Sequence, residues 1–234
     1  MRPEALHTAL DTAVAEFQAA VTSAGPAAPV PTCPGWTADA LTAHLASVFG
    51  LVADWIRTGR RRQPRPVPAS APDAFATASA TLLELLGPGQ ADRPCPTWCP
   101  WDRTIGFWLR RMAHEAVIHR VDAESALGVV TPVPAELAAD GVDEVLTLWL
   151  GAHQPPVVSG EHVVRLEVPG REWTVGLNPS VVDFCDGAEP EAVLRGPASA
   201  LDLWLWGRGG AAGLTVEGDP AAVAALRSAV AAVT

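Results

Sequence analysis

Residues 108–119 read WLRRMAHEAVIH, and the side of the helix on which Glu115 and His119 fall decides the architecture. At about 100° per residue, with Glu115 as origin, His119 lies at about 40°, Met112 at about 60°, Trp108 at about 20° and Asp122 at about −20°. The large apolar residues and the two ionisable ones therefore share one face. His114 points about 100° away, toward the side of Arg111 and Ile118. An ionised carboxylate on a buried helix face is costly unless it is paired or coordinates a cation. Two arrangements meet that requirement: Glu115 at the edge of the core, paired with His119 or an arginine, or Glu115 and His119 turned inward as part of a ligand set.

Working outward, this segment belongs to a helix expected from Arg103 to about Leu127, capped by Asp102 and stopped by Gly128 and Pro132. Three further helices precede it. Leu6, Leu10, Val14, Phe17 and Val21 recur at steps of three and four over residues 4–23. Thr37 caps a second helix that runs to Gly59 with Leu41, His44, Leu45, Val48, Val52 and Trp55 inward, and a third spans Asp73 to Leu86. Four helices joined by loops predict an antiparallel four-helix bundle. A shorter helix from Pro134 to Leu150 follows it.

Near Gly151 the pattern changes. HVVRLEVPG and REWTVGLNP alternate as a hairpin around Pro169-Gly170, with His162, Val164, Leu166 and Val168 on one face. AVLRG, the apolar run LDLWLWGR and GLTVEG read as further strands before a helix from Pro220 to Val233 that turns Leu226 and Val230 inward. The fold class is thus α+β, with a helical bundle over residues 1–150 and a small α+β domain over residues 151–234.

Composition narrows the function. The 234 residues carry a net charge of −10, and all 16 basic residues are arginine. A nucleic-acid or anionic-membrane surface needs a basic stripe, and the one dense run, Arg57, Arg60, Arg61, Arg62 and Arg65, leads into a Pro-rich stretch and reads as a solvated loop. No apolar stretch has the length of a membrane span, and the first residues lack a secretory hydrophobic region. The four cysteines, Cys33, Cys95, Cys99 and Cys185, are too sparse for a disulfide framework, so a reducing cytoplasmic location is expected. Cys95 and Cys99 have no second thiol pair for structural zinc. Cys33 precedes Pro34-Gly35 with no identified histidine partner, which argues against a protein thiol as nucleophile.

His44 is the third informative residue. A histidine inside an apolar stripe is commonly a satisfied core residue. Two helices of one bundle that each turn imidazole or carboxylate inward are also how metal sites of bundles are built. His44, Glu115 and His119 would form a three-ligand set with positions left for water or substrate, the composition of catalytic zinc; Fe²⁺ or Ni²⁺ also accept two imidazoles and a carboxylate. Asp122, one turn beyond His119, is either a support for a ligand imidazole or a helix-end surface acid.

CPGWTADALTAHL (33–45), HEAVIHRVDAE (114–124), LWLWGR (203–208) and LTVEGDP (214–220) together resemble the mycothiol-dependent maleylpyruvate isomerase family, whose amino-terminal domain is a DinB-like metal-binding bundle. The match is weakest between Arg57 and Pro96. The resemblance implies His44, Glu115 and His119 as metal ligands, a divalent metal (zinc favoured), and mycothiol as thiol cosubstrate. It implies a small sterol-carrier-like carboxy-terminal domain in which Arg208, after the LWLW strand, is a candidate catalytic anion clamp; its structural alternative is a strand-end salt bridge to Asp219 or Glu217. Arg120 is expected to face solvent or an interdomain seam, and Trp36 to pack at a helix start or, as the alternative, to line the mouth of the site.

The implied activity is metal-dependent and mycothiol-dependent isomerisation or thiol transfer, with maleylpyruvate to fumarylpyruvate as the leading single reaction. In it the thiol adds to a cis double bond, the new single bond rotates, and the thiol is expelled. The alternatives are S-transfer to another electrophile, a metal-dependent hydrolase, and a noncatalytic binding or regulatory protein of the same fold. The implied partners are a small electrophilic, anionic substrate and mycothiol, with no nucleic acid and no membrane, and a monomer or weak homodimer.

Overall fold

The computed structural model describes residues 1–63, 70–151, 160–178, 182–184 and 187–234. The chain divides into two compact units, residues 1–131 and 132–234. The division falls before the fifth helix, not after residue 150, so residues 132–150 belong with the sheet-containing unit. Arg65 and Cys185 lie outside the described residues.

In the first unit, α1 (Pro3–Ala24), α2 (Ala38–Thr58), α3 (Ala71–Leu85) and α4 (Ile105–Ser125) form the bundle, with α1 against α4 and α2 against α3 as the main packing pairs. The 3–4 spacing explains the choice of faces: Leu6, Leu10, Val14 and Phe17 of α1 and Leu41, Leu45, Phe49 and Val52 of α2 are buried. Phe75 of α3 meets Phe17 and Phe49, with ring centroids 5.0 and 5.9 Å away. Thr37 caps α2 by accepting from the Ala40 N–H at 3.2 Å, and Gly59 ends it in the left-handed region at φ 65°.

Two starts differ from expectation. Ser70, not Asp73, precedes the first turn of α3 and caps it. Thr104 caps α4, because the Asp102 carboxylate is used one step earlier, accepting from the Thr104 N–H and hydroxyl at 3.1 and 2.7 Å.

α4 is buried on nearly every side, including Arg111, His114, His119, Arg120 and Asp122. A helix of this composition is stable only if its charges are answered locally. Arg120, expected to face solvent or an interdomain seam, is buried: its guanidinium holds Glu124 at 2.9 and 3.0 Å and the Thr131 carbonyl at 3.0 Å, with Glu16 of α1 at 3.6 Å. Arg57, Arg60, Arg61 and Arg62 are exposed as expected.

The second unit contains α5 (Ala135–Glu144), continued by a π-helical turn over Val145–Leu150, a five-stranded sheet, α6 (Ala198–Leu205) and α7 (Pro220–Ala231). The sheet comprises β1 (His162–Val168), β2 (Arg171–Leu177), β3 (Val182–Phe184), β4 (Ala192–Arg195) and β5 (Thr215–Gly218), in the order β3-β2-β1-β4-β5. The expected hairpin is β1–β2, with Val164 opposite Val175 and Leu166 opposite Trp173. β4 runs parallel to β1, and the other neighbours are antiparallel.

The run expected as an LWLW strand is helical. Leu201 to Leu205 lie in α6, which packs on α5, and Gly141 of α5 permits a close approach: a Cβ there would sit 2.8 Å from both carboxylate oxygens of Asp202. Burial of Leu201, Leu203, Trp204 and Leu205 leaves no amphipathic period to read. α7 covers β1 and β4 with Leu226 and Val230 inward.

Candidate metal centre

The site is assembled from three pieces of the first unit. α4 supplies Glu115 and His119, one turn apart. α2 supplies His44. The loop before α2 is folded by short-range bonds, Cys33 N–H to the Val30 carbonyl at 3.0 Å and Trp36 N–H to the Cys33 carbonyl at 2.9 Å. The Thr32 hydroxyl lies 3.1 Å from that of Ser125, which donates to the Asp122 carbonyl at 2.6 Å, so the loop is tied to the end of α4.

These constraints bring His44, Glu115 and His119 together, one ligand atom from each lying within 4.8 Å of the others. His44 Nε2 is 3.3 Å and His119 Nε2 3.4 Å from the same oxygen, Glu115 Oε1. The imidazole rings meet edge to face, 4.9 Å between centroids. Two Nε2 atoms and one carboxylate oxygen converging on one point is a donor set suited to a divalent transition ion, and it leaves coordination positions for a small molecule. His44 has a third of its side chain exposed, which gives the cluster an opening to solvent.

The surrounding groups fix the orientation of the donors. Arg111, buried and one turn before Glu115, donates to Glu115 Oε2, leaving Oε1 for the imidazoles. Arg111 therefore belongs with Glu115 and not with His114. The signal was present in the sequence, since a four-residue spacing places the two about 40° apart on one face. Burial alone would raise the Glu115 pKa, but the Arg111 guanidinium and hydrogen bonds from both imidazoles hold it well below the usual carboxylate range.

Asp122 is fully buried and takes the supporting place of its two readings: its Oδ2 lies 2.8 Å from His119 Nδ1, directing Nε2 toward Glu115. Burial would lower the His119 pKa; hydrogen bonds to Asp122 and Glu115 overcome this and push it up to about 9. Trp36 is not a buried packing residue. It is 37% exposed, and its ring stands edge-on to His44 at 5.2 Å, at the rim of the cluster.

Other candidates lie apart from this cluster. Cys95 and Cys99 are free thiols. The Cys95 pKa is raised to about 11 by burial and by Asp102, despite Arg93, so its thiol is protonated at neutral pH. A groove of about 630 Å³ between α2 and α3 is lined by Gly50, Asp54, Arg57, Gln63 and Asp73 among others, and by none of the three clustered residues.

In the second unit Arg208 follows the end of α6, half-buried, with Nη1 donating to the Trp206 carbonyl at 2.8 Å. The carboxylates considered as its strand-end partners have other roles: Glu217 accepts from Arg195 at 2.9 Å, and Asp219 caps α7 by accepting from the Ala221 N–H at 2.8 Å.

Among the described residues, no helix is long and apolar enough to cross a membrane. Comparison with curated proteins gives no match. Two crystal structures, of the mycothiol-dependent maleylpyruvate isomerase and of a histidine-to-alanine mutant of it, share the fold over 93% of this chain and 93% of theirs, with a TM-score of 0.58 at 17% and 16% identity. The family model for the mycothiol maleylpyruvate isomerase N-terminal domain matches residues 7–124, and that for the corresponding C-terminal domain matches residues 136–225. With both models spanning most of its length, the chain belongs to the mycothiol maleylpyruvate isomerase family.

Proposed function

We propose that this protein is a metal-dependent enzyme that uses mycothiol as a thiol cosubstrate, and that its reaction is the cis–trans isomerisation of maleylpyruvate to fumarylpyruvate or the transfer of mycothiol to a related anionic electrophile. The observation that carries the reading is the convergence of His44, Glu115 and His119 on one point. A divalent ion held by these three residues, zinc by preference, would supply Lewis acidity that lowers the pKa of a thiol at neutral pH.

The chain's own residues have distinct tasks. Arg111 holds Glu115 ionised and turns one carboxylate oxygen away from the imidazoles. Asp122 fixes the ring of His119 so that Nε2 is the free donor. Trp36 borders His44 with its ring edge-on. Arg208 is the proposed carboxylate clamp; its planar fork suits a carboxylate and would stabilise the negative charge that develops on the keto acid when sulfur adds to the double bond. In isomerisation that electron pair returns to expel the thiol after rotation, whereas in transfer a proton takes its place and the sulfur stays attached. The absence of lysine and the richness in Ala, Arg, Gly and Pro suit a high-GC genome in which mycothiol would be available, and a cytoplasmic location follows from that cosubstrate.

The test is to incubate metal-loaded protein with mycothiol and a panel of maleylpyruvate, epoxides and alkyl halides, following substrate geometry and adduct mass. Isomerised product with unchanged mycothiol is the expected result, and a stable adduct selects the transferase. Turnover without thiol would replace the proposal with a hydrolase, and no thiol-dependent turnover across the panel would replace it with a noncatalytic binding role.

A further inference from the structure

The two histidines of the cluster are held in different ways. His119 presents Nε2 to Glu115 because its other ring nitrogen, Nδ1, lies 2.8 Å from the fully buried Asp122. A ligand imidazole is ordinarily oriented in this manner, by a hydrogen bond at the nitrogen that faces away from the ion. His44 lacks that support. Its Nε2 lies 3.3 Å from Glu115 Oε1, whereas its Nδ1 has no hydrogen-bond partner among the described residues and is not a buried atom. With a third of the side chain exposed, water satisfies Nδ1 in more than one setting of the ring, so hydrogen bonding at that nitrogen does not fix where the imidazole points.

Ring packing does. His119 meets the His44 ring at 4.9 Å between centroids and Trp36 meets it at 5.2 Å, with interplanar angles of 76° and 68°. Both separations fall within the roughly 4.5–7 Å over which aromatic rings attract edge to face. The sequence before α2 makes Trp36 a fixed wall. In Cys33-Pro34-Gly35-Trp36 the Trp36 N–H bonds to the Cys33 carbonyl at 2.9 Å, Pro34 has its φ set by its own ring, and Gly35 takes φ 84°, the pattern of a type II turn. On the other side the Trp36 carbonyl accepts from the Val30 N–H at 3.0 Å, and Thr37 bridges to Pro29. The backbone of Trp36 is therefore pinned from both directions. An apolar residue just before a capping threonine commonly packs on the first turn of its helix. The Trp36 ring reaches His44, about two turns in, and 37% of the residue stays exposed.

Resting on the reading of His44, Glu115 and His119 as a metal centre, we infer that Trp36 is the positioning residue for His44: packing by an indole fixed on the Cys33–Trp36 turn does for this ligand what the Asp122 carboxylate does for His119. Removing the indole leaves the His44 ring free to turn, and a donor that must first be oriented binds an ion less tightly. The effect is on metal affinity, so it is detected without turnover.

Competition for zinc between the full chain and a chromophoric chelator, with the Tm of the metal-free protein read alongside, separates positioning from packing. Trp36→Ala should weaken zinc affinity by about 10–100-fold, the range for groups that orient a ligand imidazole, and Trp36→Phe, which keeps a ring against His44, should recover most of that loss. If Trp36 only packs at the start of α2, Trp36→Ala would lower the metal-free Tm and leave zinc affinity unchanged, which overturns the inference. Equal losses in Trp36→Phe and Trp36→Ala would also overturn it, because the ring would then not be the operative feature. Should Trp36→Ala fail to fold, Trp36→Leu, which keeps apolar bulk without a ring, takes its place, and undiminished affinity there overturns the inference. No zinc uptake by the unaltered protein would remove the metal centre and the inference together. Weakened zinc binding in Trp36→Ala of a protein inactive with every thiol and electrophile would leave the positioning role standing and remove the proposed reaction. Thiol-dependent turnover with a zinc affinity insensitive to position 36 would do the reverse.

Discussion

Glu115 in the bundle and Arg195 in the sheet each sit at the centre of a charged group, yet the two groups have opposite physical meaning. Glu115, with 16% of its side chain exposed, is held by a buried Arg111 and by His44 and His119, whereas Arg195 bonds a half-buried Glu167 at 2.7 Å and an exposed Glu217 at 2.9 Å and is itself exposed. In the bundle, desolvation makes each charge depend on the presence of the others, so removing one partner leaves an uncompensated buried ion. At the surface of the sheet, water replaces whatever is removed. The number of ion-pair partners therefore says little; dielectric surroundings decide which group sets chemistry and which decorates a strand edge.

The largest expected effect breaks the symmetry between the two groups outright. Glu115→Gln or His119→Ala should reduce metal content from about one ion per chain to near zero and lower thiol-dependent kcat/KM by more than about a hundredfold, while Glu167→Gln changes neither. Elemental analysis of protein purified without a histidine tag, together with steady-state kinetics, checks this. Full metal occupancy in His119→Ala would remove the cluster from consideration as a metal centre.

Next in size is the stability of the metal-free protein. Arg111→Met strands the Glu115 carboxylate in the bundle and should cost about 3–5 kcal/mol in urea unfolding. Arg195→Met should leave the unfolding midpoint unchanged within error. Similar losses from the two substitutions would mean that Glu115 finds water when Arg111 is gone, and that the bundle site is wetter than its packing indicates.

The same contrast explains what can be read from the sequence. α1 and α2 are legible because each has one buried and one exposed face, and the cluster is legible because Glu115 and His119 share a face with Trp108 and Met112. α6 is not, since Leu201, Leu203, Trp204 and Leu205 are all buried and a run buried on every side has no period by which helix and strand can be told apart. Arg120 misleads for a related reason. A helical wheel ranks positions around one preferred face, and α4 has partners nearly all round, so an arginine about 140° from Glu115 meets Glu124 and Glu16 instead of water. The unit boundary lies before residue 150 because α5, helical like the four elements ahead of it in sequence, packs against α6.

A smaller effect sharpens the comparison within the bundle. Asp122 touches His119 through Nδ1 and has no place in the converging donor set, so Asp122→Asn should keep the site formed and weaken metal affinity by about 10–100-fold, the range for groups that orient a ligand imidazole. A competition titration with a chromophoric chelator measures this. Unchanged affinity would mean that Glu115 alone suffices to orient the ring.

The last effect amounts to a single proton. In the metal-free protein the His119 pKa is raised from 6.5 to about 9, opposed by burial and driven by Asp122 and Glu115. The sign follows from linkage: a raised pKa means that the folded state holds the proton more tightly than the unfolded chain does, so this stabilisation is complete below about pH 6.5 and drains away as pH climbs to about 9. Glu115 acts in the opposite sense, its lowered pKa contributing above about pH 4.5 and failing only in stronger acid. These two groups therefore favour the metal-free fold most between about pH 4.5 and 6.5. A metal requires the deprotonated imidazole, so at pH 7 binding must expel the His119 proton. Calorimetric titration of the metal into metal-free protein, repeated in buffers of different ionisation enthalpy, should show that His119 contributes close to one released proton at pH 7. Asp122→Asn removes the strongest support for the protonated ring and should reduce that number. An unchanged proton count would show that Asp122 fixes the ring's direction without setting its charge.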